Sequence, residues 1–340
     1  MFRSQNTNGT RAGRGLRVVS PLLILVACGI SLAQQPIRVR TNLVNIGFTA
    51  RDAKGVLVDN LSQENIQLFE DTVQQKISYF QRSVDVPLTL GLVVDESGSQ
   101  ESEAKRHEHD IQVFLESVLG PKDRVFLVCF ENRIRLVSDF TNSGSELMDR
   151  WHEYNTGGDK KKNNKNNKKE KNDTTKPDFP DIGPKESRVL GTAFYDAIYY
   201  SISEKLARES GRRALLVFSD GEDNSSEQDM MSTIEEAQYN DVLLYSIRYT
   251  EESHGKLTAR NKYGIRVMQR IAGDTGAEDF DAKQMDAHEY FKAIGEELRT
   301  MYEVGYYSTN SENDRTFRKV QVKYLQDGIK IHSKPGYYAR

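Results

Sequence analysis

Residues 88–99 read LTLGLVVDESGS, an apolar run that passes directly into a short polar loop. The apolar part, residues 88–94, lacks the strict alternation of a strand that is covered on one face only. Similar runs follow at residues 125–130, 214–218 and 242–247. Runs of this kind are typical of strands buried on both faces, as in a parallel sheet.

Helical patterns lie between these runs. Apolar residues at i, i+3, i+4 and i+7 predict an amphipathic helix near residues 102–119, which Gly120-Pro121 would end. Apolar side chains one turn apart predict further helices over residues 192–207 and 286–301. Strands that alternate with helices predict an α/β fold in which right-handed crossovers join parallel strands.

The N-terminal flank has a different pattern. Residues 37–50 alternate in part between apolar and polar, and the phase changes at Leu43-Val44. A change of phase of this kind predicts a bulge or a bend. Residues 66–70 and 76–80 read as two more short strands.

The C-terminal flank also alternates, over residues 320–324 and 329–331, on either side of the hairpin signal Asp327-Gly328. We expect the two flanks to pair as a small β-unit beside the α/β domain, with two independent extensions as the alternative. The predicted segments are an N-terminal β segment 34–84, an α/β domain 85–302 and a C-terminal β segment 303–340.

The first 33 residues have the features of a secretory signal peptide. Residues 1–17 carry four arginines and no acid, residues 18–27 are apolar, and Ser31-Leu32-Ala33 offers small residues for cleavage. Cleavage after Ala33 would change the formal net charge from −3 to −7. Two alternatives stay open: an uncleaved anchor, and a lipoprotein box at residues 25–28 whose Cys28 carries the lipid. We expect an exported protein, either secreted, periplasmic or lipid-anchored.

The composition is that of a soluble protein, with 29% charged and 37% hydrophobic residues. The net charge of −3 argues against a nucleic-acid-binding protein. If Cys28 leaves with the signal peptide, Cys129 is the one remaining cysteine. It lies in an apolar run, so we expect a buried, inert thiol rather than a nucleophile or metal ligand.

A lysine- and asparagine-rich tract interrupts the α/β domain. Residues 160–171 read KKKNNKNNKKEK and lie in an insertion over residues 157–188 that we predict to be disordered, because this composition buries no apolar surface. Two interpretations remain. The tract is either a tolerated surface insertion or a basic fringe that attracts an acidic partner.

Oxygen-bearing side chains follow two of the predicted strands and open one helix. Asp95, Ser97 and Ser99 form a D-x-S-x-S loop after the first strand, Asp220 follows the strand 214–218, and Thr192 opens the helix 192–207. Ligands bind beyond the carboxyl ends of strands in open parallel sheets, so these loops should meet. Each piece alone is commonly a turn or a helix cap. Together they predict an oxygen-only site for a hard divalent cation.

These residues give a specific resemblance. The sequence resembles von Willebrand factor type A domains and their metal-ion-dependent adhesion site, and is similar to the bacterial exported group described as VWFA-related. The matching stretches are the D-x-S-x-S loop, residues 191–198, residues 219–224 and the closing Lys334-Pro335-Gly336-Tyr337-Tyr338. The resemblance covers most of the chain from about residue 37.

The resemblance implies a doubly wound, mostly parallel sheet with helices on both faces. It also implies a Mg²⁺ ion, with Mn²⁺ or Ca²⁺ as alternatives, bound by the five oxygen-bearing residues, with one coordination position open to a partner's carboxylate. Gly98 would allow the sharp turn between the serines. Glu96 departs from the small or neutral residue that is common there, and with Glu222 and Asp223 it would lie at the rim of the site.

We therefore expect a non-enzymatic, metal-dependent adhesion module that captures an acidic group of a partner protein. The alternatives are a structural component of an envelope assembly, in which the metal only stabilises the loops, and a metal-assisted hydrolase. No G-x-S-x-G, H-E-x-x-H or C-x-x-C motif is present. His107 and His109 lie on a polar helix start, where we expect them to be solvated. The sequence does not indicate the oligomeric state.

Overall fold

The computed structural model describes residues 43–82, 84, 86–156, 179–184, 191–250, 256–310, 312 and 314–339. Several sequence predictions fall outside these residues. They are the signal peptide 1–33 with its Cys28 alternative, the strand residues 37–42 and the tract 160–171.

A six-stranded sheet contains the apolar runs predicted as buried strands. Its order is β10-β9-β8-β5-β6-β7, and neighbours are parallel except at the edge, where β7 is antiparallel to β6. The strands are Leu88–Asp95 (β5), Arg124–Phe130 (β6), Ile134–Thr141 (β7), Arg212–Ser219 (β8), Val242–Arg248 (β9) and Asp279–Asp281 (β10). Because β5 is buried along its whole length, its side chains contact apolar cores on both faces. The sheet confirms the predicted α/β fold.

Helices cover both faces of this sheet. The helices are Ala104–Ser117 (α1), Gly144–Thr156 (α2), Phe194–Tyr200 (α3), Met230–Tyr239 (α4), Ala259–Thr275 (α5) and Ala287–Thr300 (α6). Apolar residues of α1, α2 and α6 share one core, and those of α3, α4 and α5 share the other. The predicted helix 192–207 is α3 followed by a π-helical segment, Ser201–Leu206. Helices α2, α4 and α5 were not predicted.

The strands of the two flanks form two further sheets, with orders β13-β1-β11-β4 and β14-β12-β2-β3. Their bounds are Leu43–Arg51 (β1), Ile66–Glu70 (β2), Val73–Gln75 (β3), Ile77–Arg82 (β4), Tyr302–Tyr307 (β11), Phe317–Tyr324 (β12), Lys330–Ser333 (β13) and Gly336–Tyr338 (β14). N-terminal strands pair with C-terminal ones in both sheets, and apolar side chains from both sheets share a third core.

Three local predictions were wrong. The turn at Asp327-Gly328 does not close a hairpin, because β13 pairs with β1 and not with β12. Of the bulge or bend predicted at Leu43-Val44, the bulge is absent, since β1 pairs regularly with β11 from Leu43 onward and Leu43 is exposed. The insertion 157–188 is not disordered throughout, because its residues 179–184 bury Phe179 and Ile182 and hydrogen-bond to β7.

Two further observations concern single elements. Cys129 is buried in β6, as predicted. Among the helices that the structure describes, none combines the length and the apolar character needed to cross a membrane.

Candidate metal centre

Three loops meet at the carboxyl ends of the parallel strands β5 and β8, and this end of the six-stranded sheet is called here the metal-site edge. β5 and β8 are neighbouring parallel strands, so the loop after Asp95 and the loop after Ser219 leave the same edge. The third loop, which carries Thr192, is joined to the second through Asn224. The Asn224 side chain accepts from the Thr192 backbone N–H at 2.7 Å, and the Asn224 N–H donates to the Thr192 carbonyl at 3.2 Å.

The first loop is organised around Asp95, which is 1% exposed. Its Oδ1 accepts from the Ser97 backbone N–H at 2.9 Å, and its Oδ2 accepts from the Ser219 hydroxyl at 2.6 Å. The Ser97 and Ser99 hydroxyl oxygens lie 3.2 Å apart. A carboxylate and two hydroxyls are therefore brought to one place by five consecutive residues.

Asp220, in the second loop, is also buried. Its Oδ1 accepts from the Glu222 backbone N–H and its Oδ2 from Gln100 Nε2, both at 3.0 Å. Gln100 is itself buried and follows directly on the serine loop, so it ties the first loop to the second. Sequence reasoning missed Gln100 and Ser219. Their positions beside the two motifs were the available signal.

The hydroxyl-bearing residues are not helix caps. The N-cap of α3 is Ala193, not Thr192, and the N-cap of α1 is Glu103. Neither of these helices has a side-chain cap hydrogen bond. The capping interpretation that the sequence left open for Thr192 and for the serines therefore does not account for them.

The predicted rim residues have partners of their own. Glu96 accepts a hydrogen bond from the Tyr154 hydroxyl at 2.7 Å, and Glu222 pairs with Arg260 at 2.5 Å. Asp223 accepts from the Phe194 backbone N–H at 3.0 Å, which fixes the start of α3. The expectation for Gly98 was wrong, because its φ is not positive and a methyl group there would meet open space.

Close backbone packing holds the Asp220 loop from behind. Helix α5 approaches it at Gly264, where a methyl group would overlap the Asp220 carbonyl oxygen. The next residue of the loop, Gly221, has φ +80°, and a methyl group there would lie 2.6 Å from the Gly264 carbonyl oxygen. Both positions require glycine, so the helix and the loop form one rigid contact.

The two buried aspartates of the site bring carboxylates together without a cationic partner among the described residues. Burial raises the pKa of Asp95 to about 7; hydrogen bonds from Ser219 and Ser97 oppose the rise, and the Asp220 carboxylate adds to it. Burial and the charge of Asp220 likewise raise the pKa of Glu222. Within the described part of the chain, Asp95 and Asp220 form no ion pair with a lysine, arginine or histidine.

These donors fit a hard divalent cation. Every candidate ligand atom is a carboxylate or hydroxyl oxygen, the ligand type that Mg²⁺ and Ca²⁺ prefer. A cation beside Asp95 would favour the ionised carboxylate and offset its repulsion from Asp220. Asp95, Ser97, Ser99, Thr192 and Asp220 would be the residues that hold it.

His107 corrects one further expectation. Its imidazole is not solvated but buried at 2% exposure, with its ring edge-on to Tyr249 at 4.3 Å, and burial lowers its pKa to about 3. A cleft of about 550 Å³ opens beside the serine loop, and Asp95, Glu96 and His107 are among its lining residues. His109 is exposed, as expected.

The six-stranded sheet is parallel except for one edge strand, and helices cover both of its faces. This is the arrangement that the resemblance to von Willebrand factor type A domains implies. No protein-family profile and no curated protein matches this chain.

Solved structures with von Willebrand factor type A folds are similar to it at low identity. An aerotolerance-related membrane protein from Bacteroides fragilis is 15% identical, with 62% of this chain and 98% of the other covered, at a TM-score of 0.42. BatB from Bacteroides thetaiotaomicron is 16% identical, with 62% and 97% covered, at 0.41. The mussel byssus protein PTMP1, with a zinc-occupied MIDAS motif, is 12% identical, with 68% of this chain and 50% of the other covered, at 0.44.

Proposed function

We propose that the chain is an exported, non-enzymatic binding module that uses a divalent cation, Mg²⁺ by preference, to capture a carboxylate of a partner protein. The observation that carries the proposal is the convergence of Asp95, the Ser97–Ser99 hydroxyl pair and Asp220 at one sheet edge. When bound, the cation would supply an electropositive position at which a partner's carboxylate completes the coordination.

The hydrogen bonds of the loops favour partner capture over a purely structural cation. Ser219 already joins the Asp220 loop to Asp95, Gln100 joins the serine loop to Asp220, and Asn224 joins the third loop to the second. The loops are thus held together by the chain itself. A cation is therefore not needed to join the loops. Its preference for oxygen ligands supports a role in binding a partner's carboxylate.

The partners of the nearby acids favour binding over hydrolysis. A hydrolase would need a free general base beside a cation-bound water. Glu96 accepts from the Tyr154 hydroxyl, and Asp223 accepts from the Phe194 N–H and the Ser226 hydroxyl, so both of these rim acids already have structural hydrogen bonds.

Calorimetric titration of Mg²⁺ into metal-stripped protein tests the first half of the proposal. We expect saturable one-site binding that is lost in Asp95→Ala and Thr192→Ala. Asp327→Ala, which removes an exposed carboxylate from a remote turn, is the matched control and should bind as the wild type does. Wild-type protein that binds neither Mg²⁺ nor Mn²⁺ would contradict the proposal.

Water-proton relaxation of the Mn²⁺-loaded protein tests the second half. An open coordination position holds exchangeable water, and a small carboxylate such as acetate should displace it and lower the relaxivity. A cation with a closed, purely structural coordination would show little bound water and no response to acetate. That result would favour the alternative in which the metal only stabilises the loops.

A further inference from the structure

A second group of ligand-type side chains lies outside the loop site and shares no residue with it. Glu278 precedes β10, Glu297 lies on α6 and His332 lies on β13. One carboxylate or imidazole atom from each lies within 4.8 Å of the others. Glu278 lies beside the edge strand of the six-stranded sheet, Glu297 lies on the last helix, and His332 lies in the sheet β13-β1-β11-β4, called here the terminal-strand sheet.

The pairing of the chain ends builds this group. His332 is the register partner of Thr49 in the antiparallel pair of β13 with β1. The Thr49 hydroxyl donates to Glu297 Oε1 at 3.2 Å. Arg51, two residues along β1, places its guanidinium 4.0 Å from Glu278 Oε1. The group therefore forms only when the terminal-strand sheet lies against α6 and the sheet edge.

The two carboxylates of the group have little compensating positive charge, and one imidazole nitrogen lacks a hydrogen-bond partner among the described residues. Glu297 is 1% exposed, and the buried Nε2 of His332 has no hydrogen-bond partner among the described residues. Burial and then the charge of Glu278 raise the pKa of Glu297, while His332 opposes the rise. Arg51 is the one arginine or lysine that forms an ion pair with any member within the described residues, and at 4.0 Å the pair is loose.

We propose that Glu278, Glu297 and His332 bind a transition-metal cation, Zn²⁺ by preference, that fastens the terminal-strand sheet to the α/β domain. Two carboxylates and one imidazole form a mixed oxygen and nitrogen donor set. Imidazole suits Zn²⁺, whereas Mg²⁺ and Ca²⁺ take oxygen ligands, so this set selects a different metal from the all-oxygen loop site. A bound cation would neutralise the paired carboxylates and coordinate the imidazole.

The competing arrangement needs no metal. A proton on His332 would make an imidazolium that pairs with both carboxylates. The two arrangements differ in zinc binding. The metal site would bind one equivalent of Zn²⁺, whereas an imidazolium paired with both carboxylates would bind none.

The test uses purified, metal-stripped protein in which Asp95→Ala has disabled the loop site. We expect Asp95→Ala to bind one equivalent of Zn²⁺ by calorimetry. Loss of an outer-shell partner alone weakens metal binding by ~10–100-fold, so removal of a ligand by a second change, His332→Gln, should weaken it by at least about a hundredfold. Asp95→Ala protein that binds no Zn²⁺ would overturn the proposal, as would a double variant that binds as tightly as the single one.

Two controls keep the result specific. His152 pairs with Glu108 on the surface at 2.6 Å, so Asp95→Ala with His152→Gln tests adventitious zinc and should retain the full affinity. If His332→Gln fails to fold, Glu278→Gln decides, because Glu278 is only partly buried. Co²⁺ substituted for Zn²⁺ should give a visible absorption band that disappears in either ligand variant, and an unchanged band would overturn the assignment.

Discussion

The terminal-strand sheets and the metal-site edge both bury carboxylates, but the partners of these carboxylates differ in charge. In the terminal sheets, Glu70 lies 3.3 Å from the Arg318 guanidinium, and both side chains are 2% exposed. Hydroxyls of Ser308, Tyr306 and Tyr337 donate to the same carboxylate at 2.6, 2.7 and 2.9 Å. Burial raises the pKa of Glu70, but these hydrogen bonds together outweigh it, and the net pKa is lowered.

At the sheet edge the donors to Asp95 and Asp220 are all neutral. They are backbone N–H groups, the Ser219 hydroxyl and the Gln100 amide. Here burial raises the pKa of Asp95 instead of being outweighed. Where the chain supplies its own cation, the carboxylate holds the fold together. Where it supplies only neutral donors, the cation that we propose would supply the missing positive charge.

The largest effect should come from Glu70→Gln. The substitution leaves the buried Arg318 with only the more exposed Asp314, 3.8 Å away, as counter-charge. Breaking a buried pair costs ~3–5 kcal/mol. Urea denaturation of metal-free protein measures the change. Glu64→Gln, an exposed glutamate on the same flank, is the control and should leave the unfolding midpoint in place. A loss below about 1 kcal/mol for Glu70→Gln would show that the hydroxyls alone satisfy this centre.

The metal-site residues could be predicted from the sequence, whereas the buried pair of Glu70 and Arg318 could not. The metal-site residues lie within short motifs at strand ends, and parallel strands bring such ends to one edge. Glu70 and Arg318 are 248 positions apart and meet only through the pairing of β2 with β12. No local pattern marks that contact, and each residue alone reads as an ordinary surface charge.

The same distinction applies to the fold. Strands β5, β6, β8 and β9 are mostly continuous apolar runs, so their burial on both faces could be predicted from the sequence. The edge strand β7 mixes buried apolar residues with partly and fully exposed polar ones, and the helices α4 and α5 each bury one face only, so their sequence patterns are mixed. Gln100 was not predicted for a related reason. Its side chain hydrogen-bonds to Asp220, which is 120 residues away in the sequence.

An intermediate effect should come from Gly264→Ala, which tests whether the metal-site edge depends on packing from behind. The added methyl group would overlap the Asp220 carbonyl oxygen, and overpacking of this kind costs ~1–3 kcal/mol. We expect weaker Mg²⁺ binding in calorimetry together with this loss of stability. Gly273→Ala, on the same helix with no atom within 4 Å of the new methyl group, is the matched control and should bind Mg²⁺ normally. Equal behaviour of the two variants would contradict the rigid contact.

The smallest effect should come from Asp95→Asn in metal-free protein, and it tests the comparison most directly. The amide keeps one acceptor oxygen, removes the repulsion from Asp220, and can donate to the Ser219 hydroxyl in place of accepting from it. The net change in the free energy of unfolding should stay within about 1 kcal/mol, roughly one hydrogen bond.

Asp123→Asn is the counterpart at the other end of β5, because Asp123 is equally buried but accepts from the Leu88 N–H at 2.8 Å and pairs with Arg299 at 2.5 Å. It should lose more stability than Asp95→Asn in the same denaturation series. Added Mg²⁺ at ~100 times its Kd should stabilise wild-type and Asp123→Asn protein by ~2.7 kcal/mol and leave Asp95→Asn unchanged. If metal-free Asp95→Asn instead unfolds as readily as Glu70→Gln, the chain already satisfies the Asp95 charge, and the two centres do not differ in the way that their contacts indicate.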